Sequence, residues 1–405
     1  MHPQDLSIHD FTYTLPDERI ARFPLAERDA SKLLVYRKGN ISETVFHNLP
    51  DLLQPGDLLV FNHTRVVQAR LVFQNANGAR IEVFCLEPDG FHADIPTAMI
   101  QRANAQWKCL VGQARKWKEG EVLKARAGEL ELEARLLGRE PDCFRVAFSW
   151  TPQEACFADV LEAVGQIPLP PYLKREPVRD DSDRYQTVYA REKGSVAAPT
   201  AGLHFTPKVM QALEAKGVAR GFLTLHVGAG TFRPVKAERM EGHVMHEEEV
   251  IVSRALLAQI ASLEGSVAAV GTTSLRSLES VYWTGLRLMQ NPDSHPEISV
   301  QQWEPYSYTE ADCLPAQTVF QFLVNWMASR NMDVLKGITG LLIAPGYRIR
   351  VAQKLVTNFH QPQSTLLLLV SACIGEDWKK VYDYALANDF RFLSFGDSSL
   401  LEFGQ

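Results

Sequence analysis

From about Val66 to Trp150 the chain repeats one pattern: a short apolar or alternating run, then a turn signal. Leu71-Val72-Phe73 runs into Asn77-Gly78, a strong hairpin dipeptide. Ile81–Leu86 is closed by Pro88-Asp89-Gly90, and Glu121–Ala125, Glu129–Leu136 and Cys143–Phe148 follow. Short strands at near-regular spacing bury their apolar faces by closing into a barrel or packing as a sandwich. A small β-barrel-like domain is therefore expected over residues 66–150, inserted into the rest of the chain. The flanking regions, 1–65 and 151–405, mix buried-strand runs (Leu58-Leu59-Val60-Phe61, Phe222–Val227, Val267–Val270) with helical stretches (Pro207–Lys216, Ser274–Leu286, Ser364–Cys373). That alternation predicts an α/β (α+β) main domain. Ser274–Leu286 reads as amphipathic, and Asn291–Gln317 as an exposed connection.

Composition narrows the function classes. At 405 residues, with 46% hydrophobic and 22% charged residues, the chain has room for a large core. The longest apolar run, around Leu366–Val370, is far short of the ~20 residues that span a bilayer. The first ten residues are polar and acidic rather than signal-like, so a cytoplasmic protein with no membrane partner is expected. Six cysteines form no CxxC pair and are expected to be reduced and mostly buried. A formal charge of −6 excludes a protein coated in nucleic acid but not a local basic patch.

The chemistry-bearing segments cluster after residue 190. Ser195–Thr206 packs small residues around Thr200, Gly202 and His204, where a ligand can approach the backbone closely. Thr224–Val235 delivers a strand through His226 into Gly228, Gly230 and Thr231. Ligands bind outside the carboxyl ends of such strands, but the GxGxxG continuation of a dinucleotide site is absent. Gly242–Glu249 places His243, His246 and Glu247 together, suited to proton transfer; an HxxH pair also suits zinc, but with no obvious third ligand. Gly271–Arg276 opens a helix with Thr272, Thr273 and Ser274 beside Arg276, a cradle for a phosphate or a carboxylate. Thr357–Thr365 carries Asn358 and His360 on the lip of an apolar helix, and Arg391–Asp397 is a second polar turn. In the barrel region, Arg102, Lys108, Arg115, Lys116, Lys118 and Lys124 fall in one stretch with Trp107 and Trp117 interleaved. Cations with aromatics suit a nucleic-acid backbone and exposed bases; a solvated face is the plainer reading.

Together these segments resemble the S-adenosylmethionine:tRNA ribosyltransferase-isomerase family of queuosine biosynthesis. The resemblance covers nearly the whole chain and includes Leu25–Ser31, Pro55–Arg65, Pro168–Tyr172, Arg184–Ala190, Ser195–Thr206, Thr224–Val235, Gly271–Ser280, Pro345-Gly346-Tyr347 and Thr357–His360. It implies transfer and isomerisation of the ribosyl group of S-adenosylmethionine onto 7-aminomethyl-7-deazaguanine at the tRNA wobble position. The implied product is epoxyqueuosine-tRNA, with adenine and methionine released. The implied partners are S-adenosylmethionine and a tRNA with a GUN-type anticodon, with no metal or cofactor beyond the co-substrate.

Residue chemistry placed on those motifs assigns proton transfer to His243, His246 and Glu247. Thr200, His204, His226 and Thr231 would hydrogen-bond ribose and base, and Gly202, Gly228 and Gly230 would allow close approach. Thr272, Thr273, Ser274 and Arg276 would clamp a carboxylate; Asn358 and His360 join the substrate site, and Arg65, Arg115, Lys116 and Lys118 are expected to meet tRNA. The chain departs from the family's usual residues at His63, Glu247-Glu248, Gln353, Gln361-Pro362-Gln363 and Phe395–Ser399. Two rival readings follow: a diverged RNA-binding paralogue with changed or lost catalysis, and a metal-dependent hydrolase built on His243 and His246.

Overall fold

The computed structural model describes residues 2–89, 95–228, 235, 237–292 and 294–403. Its body is a 10-stranded mixed sheet. The strand order is Ile298–Val300, Val334–Thr339, Glu248–Ser253, Ala219–His226, Leu58–Asn62, Val267–Val270, Lys354–Asn358, Ser398–Glu402, Lys32–Arg37, Asn40–Val45. The four strands from Ala219–His226 to Lys354–Asn358 run parallel. The central two, Leu58–Asn62 and Val267–Val270, read as near-continuous apolar runs because both sheet faces are covered. Helices Arg254–Ala261, Thr272–Gln290, Ala316–Ser329, Thr365–Ile374 and Asp377–Ala387 belong with the larger core, and Pro207–Ala215 packs in the smaller one with Leu33, Phe61 and Val270.

One buried carboxylate gathers the starts of three of these strands. Asp57 accepts hydrogen bonds from Gln54 N at 3.0 Å and Ser266 N at 3.0 Å, and pairs with Lys354 Nζ at 2.5 Å. A charge this buried is tolerated because every neighbour donates to it.

The second sheet has seven strands and closes on itself through the Gln74–Lys124 pairing, so the barrel expectation holds. Asn75 and Gly78 make the expected hairpin turn, with Gly78 at φ +76°. Asn104–Gly112, read only as part of a basic tract, is a strand. Its alternation is masked in sequence by Gln106 and Lys108 on the outer face. The same register buries Trp107, and Trp117 is buried in the same core, at 2% and 1% exposure. The expectation that these tryptophans stack on bases is therefore wrong: they are barrel core. Helix Phe157–Val164 and the strand Gly165–Gln166 pack with this sheet too.

Two other expectations change. The helix Thr272–Gln290 is enclosed rather than amphipathic at a surface: Ser277, Glu279, Ser280 and Thr284 are fully buried. Three hydroxyls satisfy themselves on carbonyls one turn back (Ser277 to Thr273, Ser280 to Arg276, Thr284 to Ser280). Glu279 accepts from Arg350 N, Val351 N and the Tyr347 hydroxyl. The stretch Asn291–Gln317 contributes the strand Ile298–Val300, too short to show a period, and packs Trp303, Tyr306 and Tyr308 on the core. All six cysteines are unpaired. Among the described residues no helix is long and apolar enough to cross a membrane.

Candidate active site

The parallel strands end on one side of the sheet, where open α/β sheets bind ligands. Val267–Val270 turns at Gly271, whose φ of +89° favours glycine, straight into the helix Thr272–Gln290. Ala219–His226 leads to Val227, and Lys354–Asn358 to Phe359 and His360. These ends line a cavity together with the short helix Thr200–His204, the His243–Glu248 segment and Leu393-Ser394. Of the residues singled out in sequence, it brings together Thr200, His243, His246, Thr272, Thr273, Arg276, Asn358 and His360.

Arg276 does not wait there as a free cation. Glu248, also on the cavity wall, is ion-paired with it; both side chains are largely buried. Burial alone pushes the guanidinium down to about 10. Glu248 also accepts from Gly228 N at 3.2 Å, which ties the pair to the loop after the strand Ala219–His226. The expected carboxylate clamp is thus a neutral pair rather than a net positive charge. Thr273 Oγ1 is buried with no hydrogen-bond partner among the described residues, as is Asn358 Oδ1. Such orphaned groups at a cavity wall are ready-made ligand contacts.

Asn358 is oriented from behind. Its Nδ2 donates to Leu393 O at 3.1 Å and faces His204 Nε2 at 3.2 Å, while His204 Nδ1 meets Ser31 Oγ at 2.8 Å. Burial, and the nearby Arg391, push His204 down to about 3, so its ring is neutral. A neutral ring that accepts at Nε2 donates at Nδ1, which fixes one tautomer. Burial also pushes His360 down to about 4; its Nε2 meets Thr357 Oγ1 at 2.9 Å. His226 is not on the cavity wall: its Nδ1 faces Thr64 Oγ1 at 3.4 Å, and burial, with His63, pushes it down to about 4.

His243 and His246 sit on a segment that Gln302 grips at both ends of its amide. Gln302 Nε2 donates to His243 O at 2.8 Å and its Oε1 accepts from Met245 N at 2.9 Å. Burial, and then His246, lower His243 from its ordinary value, so it is a base rather than an imidazolium at neutral pH. Among the described residues no group of three or more His, Cys, Asp or Glu side chains is arranged to hold a metal ion.

The remaining candidates lie elsewhere. Gly202 packs against Tyr189 and Thr187, where a Cβ would collide. Ser274 Oγ is bonded to Val270 O at 2.8 Å, and Glu247 is exposed. Gly230 and Thr231 lie outside the described residues. Arg65 is exposed on the strand Thr64–Val66. Arg115, Lys116 and Lys118 are exposed around a barrel turn that Asn75 braces through Lys116 O at 2.9 Å. Of the departures, Glu248, Gln361, Pro362 and Gln363 line the cavity. His63 instead bonds Thr224 Oγ1 at 2.8 Å, and Gln353 bonds Val267 N at 2.9 Å.

Sequence reasoning missed Glu248, Tyr172, Thr357 and Ser394 on the wall. Glu248 was within reach: counting back by twos from the buried Val252 and Val250 puts Glu248, not Glu247, on the inner face of its strand. Tyr172 and Ser394, joined at 2.6 Å, come from distant loops, and no local signal pairs them.

A family model described as "Queuosine biosynthesis protein" matches residues 8–401. A protein of Xanthomonas oryzae pv. oryzae is 41% identical over 401 residues, 97% of this chain and 96% of its own length. One from Azoarcus sp. is 40% identical over 400 residues, 98% of this chain and 97% of its own. Both bear the name S-adenosylmethionine:tRNA ribosyltransferase-isomerase. A crystal structure of an S-adenosylmethionine tRNA ribosyltransferase from Thermotoga maritima is 28% identical, covers 97% of this chain and 99% of its own, and superposes with a TM-score of 0.46.

Proposed function

This chain belongs to the queuosine biosynthesis protein family, and on that footing we propose that it is an S-adenosylmethionine:tRNA ribosyltransferase-isomerase. The finer reading is that the ribosyl group of S-adenosylmethionine passes to 7-aminomethyl-7-deazaguanine in the wobble position of a GUN-anticodon tRNA. Adenine and methionine leave, and epoxyqueuosine forms with no further cofactor. The observation that carries this reading is the cavity itself. It joins two histidines, one of them held neutral, to the buried Arg276–Glu248 pair and to hydroxyls and an amide oriented from behind.

The sulfonium of S-adenosylmethionine acidifies the adjacent ribose carbon. His243, held neutral at the cavity wall, or His246 beside it suits removal of that proton, and the resulting imidazolium suits its return to the leaving adenine. The Glu248 carboxylate, paired with Arg276, lies on the wall that a sulfonium in this cavity would meet. Thr200, Thr273 and Asn358, all on the cavity wall, suit the ribose and base edges. Arg115, Lys116 and Lys118 would dock the tRNA through its phosphates, without the aromatic stacking expected from sequence. For a diverged RNA-binding paralogue the discriminating feature is the assay below rather than any residue.

Protein, S-adenosylmethionine and tRNA carrying 7-aminomethyl-7-deazaguanine are mixed without added metal. Adenine and methionine should appear in step with a heavier wobble base. His243→Ala and His246→Ala should each fold normally, and at least one should lower turnover by about 10²–10⁴-fold. Adenine release unchanged in both variants would remove the histidines from the chemistry. Bound tRNA with no release by the unaltered protein would favour the paralogue.

A further inference from the structure

A second, smaller cleft shares Ser394 with the wall of the main cavity. Arg28, Arg184 and Arg391 line it, with Ser31 and His204 at its floor. Among the described residues no carboxylate lines it. Arg391 pairs with Asp397, and that carboxylate is already engaged: it accepts from Lys32 N at 3.0 Å, Arg391 N at 2.8 Å and Arg391 Nη2 at 3.1 Å. Arg28 and Arg184 have no carboxylate partner among the described ion pairs. Arg28 donates to Gln186 O at 2.9 Å and Asp183 O at 3.4 Å, and Arg184 to Ala26 O at 3.0 Å and Leu25 O. These carbonyls aim the guanidiniums without neutralising them. Arg184 Nε is buried with no hydrogen-bond partner among the described residues. Burial, and repulsion from Arg184, lower the Arg28 guanidinium from its ordinary value. Neighbouring cations outside the cleft are paired, Arg175 with Asp181 and Lys174 with Asp17.

Three arginines against one carboxylate, all half-buried and held in fixed directions, make a site for an oxyanion. We propose that this cleft holds one backbone phosphate of the RNA strand whose base enters the main cavity. The proposal rests on the tRNA reading above. A strand that delivers a base past Ser394 carries a phosphodiester on each side of that nucleotide, so an anion is brought to this wall by the same binding event. The arrangement therefore serves to set register: the phosphate is gripped while the base is presented to the reactive groups.

The test works from the RNA side, which leaves protein folding untouched. Binding of the full chain to an anticodon stem–loop RNA is followed by fluorescence anisotropy against salt. Each loop phosphate in turn is replaced by an uncharged methylphosphonate. One linkage should stand out, weakening binding by about three- to tenfold and flattening the salt dependence by about 0.7 in log–log slope. That penalty should vanish in Arg28→Gln and in Arg391→Gln, with the KM for S-adenosylmethionine unchanged. Should a Gln variant lose its melting transition, Arg28→Lys and Arg391→Lys keep the charge and should shrink the penalty by losing the fork geometry. The proposal fails if no single linkage stands out, or if the one that does is unaffected by these variants. It also fails if they raise the KM for S-adenosylmethionine and leave RNA affinity alone, which would make the cleft a carboxylate site. An unaltered protein that binds no stem–loop or tRNA at all would instead overturn the tRNA reading itself.

Discussion

Glu248→Gln is expected to be the most damaging single change at the site. The variant leaves Arg276 buried beside a neutral amide, and removing one partner of a buried pair costs about 3–5 kcal/mol of stability. It also converts a neutral wall into a cationic one facing a sulfonium. Like charges a few ångströms apart in a partly desolvated cavity repel by on the order of 3 kcal/mol, about a hundredfold in affinity. The KM for S-adenosylmethionine should rise accordingly, and turnover should fall with it. Adding Arg276→Met removes the orphaned charge, so the double variant should regain most of the lost stability without regaining activity. Urea denaturation and adenine release on the three proteins decide the matter. A Glu248→Gln protein that unfolds at the unaltered midpoint and keeps its KM would sink the assignment.

The second large effect is on acid stability. Burial holds His204 at about 3, and His226 and His360 at about 4, against an ordinary 6.5. Between 6.5 and those values the unfolded chain binds protons that the folded one refuses. Stability therefore falls as pH drops through this window, by on the order of 1.4 kcal/mol per pH unit for each histidine. Glu279 acts in the opposite sense. Burial pushes it up to about 7 from 4.5, so between those values the folded state binds the extra proton and its contribution falls as pH rises. Three groups against one leave a net slope near two protons around pH 5–6, about 3 kcal/mol per pH unit. Over about two pH units that removes about 5 kcal/mol from a total of about 5–15 kcal/mol, so resistance to urea should drop steeply below pH 6.5. Urea midpoints from about pH 4.5 to 7.5 should show this slope, reduced by one proton in His226→Asn. A flat profile between pH 5 and 6.5 would mean that these rings are charged in the folded protein.

The barrel was legible because period-2 alternation and turn dipeptides are local signals. Asn77-Gly78 and the runs after it needed no partner to be recognised. The strand Asn104–Gly112 was hidden because its outer face carries cations and its inner face a tryptophan, which together imitate a nucleic-acid patch. The site was half legible for a similar reason. Thr272, Thr273 and Arg276 follow from a strand, a glycine and a helix start, all contiguous. That Arg276 is neutralised by Glu248 depends on a strand three places away in the sheet from the one that leads into its helix, beyond any local pattern.

By itself, then, the amino-acid order determined the two-part architecture, the buried parallel strands and the family, because each rests on short-range periodicity or on contiguous motifs. Tertiary structure alone decided the electrical state of the site. Whether His204 supports or reacts, and whether Arg28, Arg184 and Arg391 share one cleft, are set by residues more than a hundred positions apart, and whether Arg276 is free or paired is set by a carboxylate on another strand. Burial and charge act through space at a few ångströms, and only the fold says which groups come that close.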